Sequence, residues 1–215
     1  MILSPFQKEA IKGIEDGKHV LITAHTGSGK TLPAEYAIEY FTKMGKKVIY
    51  TSPIKALSNQ KYSDFVKKYQ NLEVGILTGD NKHNPDADVL IMTTEILYNK
   101  LLRKDTLSHL DFEMDFENDL GCVIFDEVHY INDAERGTIW EQSMMLLPNH
   151  IQMVMLSATI GNAEYISNWL TEIKGKEVII CGTKVRVVPL EYYQYFTVPE
   201  KGINQLTRKE DQQLL

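Results

Sequence analysis

The octapeptide AHTGSGKT, Ala24 to Thr31, lies between a short apolar strand, His19–Thr23, and a helix predicted over Lys30–Met44. Its two glycines, Gly27 and Gly29, allow the backbone to curl so that several N–H groups point at one anion. The helix that follows adds its positive N-terminus at the same point. A strand, a glycine-rich turn and a helix in this order predict a phosphate-binding loop in an α/β domain.

The same loop carries the side chains that a nucleotide needs. Lys30 is placed to reach the outer phosphates, and the Thr31 hydroxyl is placed to bind Mg²⁺. The strict pattern GxxxxGKS/T is not met, because Ala24 stands where the first glycine is expected. A glycine-rich turn with an exposed lysine is the plainer alternative. The candidate nucleotide-binding residues of the loop are Ala24, His25, Thr26, Gly27, Ser28, Gly29, Lys30 and Thr31.

An acidic pair follows another apolar strand. Cys122–Phe125 contains no charged residue and leads directly into Asp126 and Glu127. A carboxylate at the carboxyl end of a buried parallel strand faces the crevice where ligands bind such sheets. We therefore expect Asp126 to bind Mg²⁺ together with Thr31, and Glu127 to polarise an attacking water. With Lys30 these carboxylates form the candidate catalytic group, and a solvated loop is the alternative for any Asp–Glu pair.

Apolar strands and helices alternate along most of the chain. A capped helix is predicted over 4–17, further strands over 47–51, 74–77, 89–93, 153–156 and 177–181, and further helices over 54–69, 94–102, 139–147 and 163–173. Strands without polar alternation, separated by helices, predict a parallel sheet covered by helices on both faces. We expect one α/β domain over residues 1–195. Residues 196–215 are polar and aperiodic, and we interpret them as a linker or a truncated end.

Composition and charge exclude several classes of protein. The 215 residues are 43% hydrophobic and 24% charged, as in ordinary globular proteins, and the net charge of −6 argues against coating nucleic acid by bulk charge. Cys122 and Cys181 lie far apart, so neither a disulfide scaffold nor a cysteine zinc site is expected. We find no secretory signal and no apolar run long enough to cross a bilayer. The expectation is an intracellular protein, cytoplasmic or nuclear, without a membrane partner.

Several motifs occur in an order that resembles a known family. AHTGSGKT, DEVH and SAT resemble motifs of superfamily 2 helicases. Longer stretches resemble the superkiller-type DExH-box RNA helicases, which feed RNA to the exosome: TSPIKALSNQKY from Thr51, LTGD from Leu77, MTTEIL from Met92, VIFDEVHYINDAERGTIWE from Val123 and LSATIGNAEYISNW from Leu156. The resemblance covers roughly residues 4–195. It implies a RecA-like phosphate-loop domain that binds ATP on one edge and an RNA strand across another.

The resemblance also implies roles for residues that spacing alone would not single out. Gln7 matches the glutamine that reads adenine, a task suited to an amide that donates and accepts at once. The strand-binding motifs fall on Pro53, Lys55, Ala56, Thr78, Gly79, Thr93, Thr94 and Glu95. The residues implied to couple the ATP site to the nucleic acid or to a neighbouring domain are His129, Ser157 and Thr159. The plainer reading of the threonines is that they cap helices. Arg136 and Gly137 match the family without a role that we can assign from their chemistry.

The function implied by the resemblance is that of the first motor domain of an ATP-dependent RNA helicase moving 3′ to 5′. Its cofactors would be ATP and Mg²⁺. Its partners would be single-stranded RNA, a second RecA-like domain that supplies an arginine finger, and exosome-type RNA decay machinery. Without that finger we expect the chain to hydrolyse ATP very slowly. Two alternatives stay open: a DNA-repair helicase of the same branch, and an idle nucleotide-dependent binding module.

Overall fold

A computed structural model describes residues 2–102, 114–158 and 160–184, together with Pro189, Glu191 and Tyr193. The described residues up to Lys184 form one compact unit. The segment 196–215, predicted as a linker or truncated end, lies outside the described residues. The helices are α1 Pro5–Glu15, α2 Thr31–Lys43, α3 Lys55–Lys68, α4 Thr94–Leu102, α5 Gly137–Leu146 and α6 Ala163–Lys174. The strands are β1 His19–Ala24, β2 Lys47–Ser52, β3 Val74–Leu77, β4 Lys82–His83, β5 Val89–Thr93, β6 Leu120–Phe125, β7 Gln152–Ser157 and β8 Val178–Thr183.

These strands form one sheet in the order β4-β3-β5-β2-β6-β7-β1-β8. Every pairing is parallel except that of β4 with β3, which is antiparallel. The carboxyl ends of the parallel strands therefore meet at one edge of the sheet. The segments after β1, β2, β3, β5, β6 and β7 all begin at this edge, where ligands bind open α/β sheets.

The hydrophobic core has two layers, one on each face of the sheet. Successive side chains of a strand point to opposite faces. Val20 and Ile22 therefore pack with buried residues of α1, α2 and α3, whereas Leu21 packs with those of α4, α5 and α6. Apart from β4 and β8, the strands are buried along nearly their whole length, as expected for strands that contain few polar residues and are covered on both faces. The predicted α/β sheet with helices on both faces is confirmed.

The predicted helices and strands are present, with most ends within one or two residues. Two short elements were not predicted. Strand β4 has only two residues, both exposed, so it carries no apolar pattern. A 3₁₀ helix over Val128–Asn132 follows the acidic pair, and its five residues are too few for a periodic signal. Within the described part of the chain, no helix is long and apolar enough to cross a membrane.

Candidate functional site

The octapeptide forms the predicted loop at the carboxyl end of β1. Gly27 and Gly29 both have a φ of 81°, in the left-handed region where a side chain would be strained. The Ser28 hydroxyl donates to the carbonyl oxygen of His25 at 2.6 Å and closes the turn. Helix α2 begins at Thr31, immediately after Lys30. The predicted strand, turn and helix are thus confirmed as a local structure.

The loop and the acidic pair come together although they lie far apart in sequence. Lys30 Nζ is 3.2 Å from Glu127 Oε2 and 3.3 Å from Oε1. Lys30 is buried, and the Glu127 side chain is 27% exposed. The strands β1 and β6 are both neighbours of β7, so their carboxyl ends are held close at the sheet edge. A cation and a carboxylate are thereby fixed at the mouth of an anion-binding loop.

Asp126 is held on both of its oxygens. The Tyr50 hydroxyl donates to Oδ2 at 2.5 Å, and the Glu127 backbone N–H donates to Oδ1 at 3.0 Å. Burial raises the pKa of Asp126, and the hydrogen bond from Tyr50 opposes this rise. Burial, followed by the charge of Asp126, raises the pKa of Tyr50 well above its ordinary value, so the phenol is the proton donor. Sequence reasoning missed Tyr50, because a tyrosine in an apolar strand has no signal that distinguishes it from other core residues.

Glu127 adopts a backbone conformation that is rare for a residue with a side chain. Its φ is 57° and its ψ is 46°, in the left-handed region. Such a residue costs roughly 1–3 kcal/mol and is found most often at functional sites. The turn brings His129 Nδ1 to 3.3 Å from Glu127 Oε2, although the two atoms are not aligned for a hydrogen bond. The Glu127 Oε2 atom therefore lies within 3.3 Å of both Lys30 Nζ and His129 Nδ1.

Gln7 contacts the phosphate loop directly. Its Nε2 donates to the Gly29 carbonyl oxygen at 3.0 Å, and its Oε1 accepts from the Ser4 backbone N–H at 2.9 Å. The side chain is 8% exposed. Both ends of the amide are therefore bound within the protein, and its reading of adenine stays a prediction. The structure does place it beside the nucleotide loop, 22 residues away in sequence.

The donor set at this edge suits a magnesium nucleotide. No group of three or more His, Cys, Asp or Glu side chains that could hold a metal is present among the described residues. Mg²⁺ needs no such cage, because it is commonly bound by one or two carboxylates with substrate phosphates and water. The Asp126 carboxylate and the Thr31 hydroxyl are hard oxygen donors of this kind. The residues present thus fit Mg²⁺ that arrives with a nucleotide.

A second cleft, of about 560 Å³, lies at the same sheet edge. It is lined by Pro53, Ile54, Lys55, Ala56, Gly79, Thr93, Glu95, Ile96 and Arg136. Six of the eight residues predicted to bind nucleic acid are among them. The other two, Thr78 and Thr94, are buried, and their hydroxyls are engaged by the backbone of Asn81 and Ser52. This arrangement favours the plainer, structural reading for those two threonines.

Helix N-termini and two cations surround this cleft. Helix α3 begins at Lys55 and α4 at Thr94, so unpaired backbone N–H groups of their first turns lie at its wall. Lys55 Nζ forms an exposed ion pair with Asp80 Oδ2 at 2.7 Å. Arg136 precedes α5, and its Nη1 lies 3.5 Å from the Pro53 carbonyl oxygen. The arrangement can hold an anionic backbone by its phosphates.

Ser157 ends β7 between the strands that carry the two ATP-site motifs. It pairs in register with Thr23, just before the phosphate loop. Its hydroxyl is buried and has no hydrogen-bond partner among the described residues. A buried hydroxyl without a hydrogen bond is costly. Thr159 lies outside the described residues.

A phosphate loop, carboxylates at the end of a nearby parallel strand and a second anion cleft on the same edge define a nucleotide-binding α/β motor domain of the RecA type. The DEAD/DEAH box helicase model matches residues 4–166. The chain belongs to the DEAD/DEAH box helicase family.

Its relatives agree with the resemblance seen in the sequence. The chain is 47% identical to Antiviral helicase SKI2 of Saccharomyces cerevisiae over 88% of its own length and 14% of that protein. It is 43% identical to Exosome RNA helicase MTR4 of Homo sapiens over 89% of its length and 17% of that protein. Among solved structures, Mycobacterium smegmatis helicase Lhr bound to ssDNA and AMP-PNP is 28% identical, with a TM-score of 0.65 over 85% of this chain and 26% of that one. The chain thus spans about a seventh of the length of its SKI2 relative.

Proposed function

We propose that this chain is the ATP-binding motor domain of an ATP-dependent RNA helicase, coupling ATP hydrolysis to 3′-to-5′ movement on RNA. The observation that carries this proposal is the ion pair between Lys30 and Glu127, which joins the phosphate loop to the acidic pair at one sheet edge. The anion cleft on the same edge supplies a second site for a strand.

In the ATP site, Lys30 leaves Glu127 and binds the outer phosphates of the nucleotide. That exchange frees the Glu127 carboxylate to orient the attacking water and accept its proton. Thr31 and Asp126 would hold Mg²⁺, which would neutralise charge on the phosphates. The loop backbone N–H groups bind the phosphates, and Gln7 contributes to recognition of the base.

In the nucleic-acid cleft, recognition is of the backbone rather than of base edges. The N–H groups of α3 and α4, with Lys55 and Arg136, bind phosphates, which positions a strand but carries no sequence information. A phosphate that binds Lys55 Nζ shares this ammonium group with Asp80 or replaces it, since the ion pair is exposed. We favour RNA because the relatives at 43–47% identity are named as Antiviral helicase SKI2 and Exosome RNA helicase MTR4. DNA is the second candidate, because the Lhr structure is of a complex with ssDNA.

The motor needs more than this domain. We propose that a second RecA-like domain closes over the ATP site and supplies the arginine finger, and that Ser157, Thr159 and His129 transmit the closure. An arginine finger is worth about 10³–10⁵ in rate in other phosphate-loop enzymes. We further propose an intracellular protein, cytoplasmic or nuclear, that works with exosome-type RNA decay machinery.

The test compares binding of RNA and DNA strands of one sequence to the purified chain at fixed salt, because phosphate contacts are strongly salt-dependent. Wild type is compared with Lys55→Ala and with Lys43→Ala, a matched loss of an exposed, ion-paired lysine on α2. We expect the wild type to bind RNA more tightly than DNA. We expect Lys55→Ala to weaken RNA binding and Lys43→Ala to leave it unchanged.

ATP turnover is measured in parallel. Equal or tighter binding of DNA would move the protein to the DNA-repair alternative. Binding of ATP with no binding of either strand would favour the idle module. Robust RNA-stimulated turnover by this chain alone would contradict the requirement for a second domain.

A further inference from the structure

Tyr50 lies outside the motifs quoted above and contacts Asp126 of the proposed ATP site directly. It lies in β2 and is completely buried, and its hydroxyl donates to Asp126 Oδ2 at 2.5 Å. The strands β2 and β6 pair in parallel with Tyr50 opposite Ile124, two residues before Asp126. A tyrosine side chain is therefore long enough to reach from the middle of β2 to the carboxyl end of β6.

The ring of Tyr50 is held in place by its neighbours. Phe65 on α3 packs edge-on against it, with ring centroids 5.3 Å apart and an interplanar angle of 89°. Lys61 Nζ lies 5.8 Å from the ring centroid. Packing of this kind leaves the phenol little freedom, so the hydroxyl is a fixed donor at one point.

The hydrogen bond decides how Asp126 presents its oxygens. Oδ1 accepts the Glu127 backbone N–H and Oδ2 accepts the Tyr50 hydroxyl, so two donors on different elements set the plane of the carboxylate. Each carboxylate oxygen has a second lone pair, which stays available to a cation or its water. Without the phenol, Oδ2 would be buried without that donor and the carboxylate could rotate about its side-chain bonds.

We propose that Tyr50 is a positioning residue that orients the Asp126 carboxylate toward the Mg²⁺ of the bound nucleotide. This inference rests on the proposed function, in which Asp126 is the Mg²⁺ ligand. The residues that hydrogen-bond a metal ligand commonly change metal affinity by 10–100-fold when they are removed. The Tyr50 hydroxyl carries no charge. It therefore orients the carboxylate without placing a second positive charge beside the cation.

The test is Tyr50→Phe, which keeps the ring and its packing and removes only the hydroxyl. A fluorescent ATP analogue is titrated into the chain at a series of Mg²⁺ concentrations and, separately, in EDTA. We expect the half-saturating Mg²⁺ concentration to rise about tenfold or more, with affinity in EDTA unchanged. The matched control is Tyr98→Phe, which removes a hydroxyl donating at the same 2.5 Å to Gln142, in the contact between α4 and α5. We expect Tyr98→Phe to bind the analogue with the wild-type affinity, both with Mg²⁺ and in EDTA.

A double variant distinguishes a positioning role of Tyr50 from a general effect on folding. In an Asp126→Asn background, Tyr50→Phe is expected to have no further effect on Mg²⁺ dependence, because its target is gone. An unchanged Mg²⁺ dependence in Tyr50→Phe, or an equal loss of affinity with and without Mg²⁺, would overturn the positioning role. Wild type that binds the analogue identically with and without Mg²⁺ would instead overturn the proposed function, and this inference with it.

Discussion

His19 begins β1, the strand that carries the phosphate loop, and its imidazole is completely buried. Its Nδ1 accepts the backbone N–H of Met153 on β7 at 2.9 Å, so this nitrogen is unprotonated in the folded protein. Its Nε2 is buried and has no hydrogen-bond partner among the described residues. Burial, aided by the positive charges of Lys176 and Lys174, lowers the pKa of His19 to about 3.

Because the pKa of His19 is lower in the folded protein than in the unfolded chain, the free energy of unfolding falls as the pH falls. An unfolded chain protonates the histidine below about pH 6.5, whereas the folded protein does not until about pH 3. Between these values the unfolded state binds more protons, so stability falls as the pH falls. Each pH unit below 6.5 is worth about 1.4 kcal/mol, so about 2 kcal/mol is lost at pH 5, and the loss approaches about 5 kcal/mol below pH 3. Above pH 6.5 the contribution of His19 is fully present and constant.

The assay is urea unfolding of wild type and His19→Asn at pH 7.5, 6.0 and 5.0. Asparagine can accept the Met153 N–H through Oδ1 and does not titrate. It leaves a smaller side chain, and the stability cost of that lost packing does not depend on pH. We expect wild type to lose about 2 kcal/mol more than the variant between pH 7.5 and 5.0.

Comparison of the two chains isolates the histidine from the other titrating groups. The hydrogen bond from the Asn118 side chain, followed by backbone hydrogen bonds, lowers the pKa of Asp115, and backbone hydrogen bonds lower that of Asp133. The raised pKa of Asp126 acts equally in both chains. Identical pH dependence of wild type and His19→Asn would refute the assignment of a buried, neutral His19.

Three further predictions concern the site and its support. Lys30→Ala removes the cation from the phosphate loop and is expected to weaken ATP binding about 10–100-fold, measured with a fluorescent analogue; retained affinity would contradict the loop assignment. Glu127→Gln removes the base and keeps a side chain of the same size. In a protein that contains this chain together with the second RecA-like domain, ATP should still bind while turnover falls about 10²-fold or more, and an unchanged rate of hydrolysis would exclude the proposed role. Gly137→Ala would place a Cβ 2.3 Å from a backbone carbonyl oxygen of the 3₁₀ helix. We expect this clash to lower the free energy of unfolding in urea by about 1–3 kcal/mol. Gly161→Ala, whose Cβ would meet open space, is the control.

The arrangement of the sheet could be anticipated because its signals are local. Apolar strands such as Cys122–Phe125 carry no polar residue, since both of their faces are buried, and a glycine-rich turn separates β1 from α2. Parallel strands have their carboxyl ends at one edge, so AHTGSGKT and Asp126-Glu127 could be assigned to that edge without coordinates. The strand-binding motifs could be assigned only through their resemblance to a family, because a threonine at a helix start has no signal of its own.

Contacts between distant strands could not be anticipated in this way. The bond from Tyr50 to Asp126 depends on the register between β2 and β6, and the left-handed turn at Glu127 depends on the fit of the 3₁₀ helix against α5. Arg136 lines the same cleft as Pro53, 83 residues away in sequence, and its Nη1 lies 3.5 Å from the Pro53 carbonyl oxygen. Local sequence therefore determined which elements form and which edge binds ligands. Tertiary packing alone decided which side chains orient the reacting groups, because such contacts depend on distances between elements that periodicity and motif spacing do not encode.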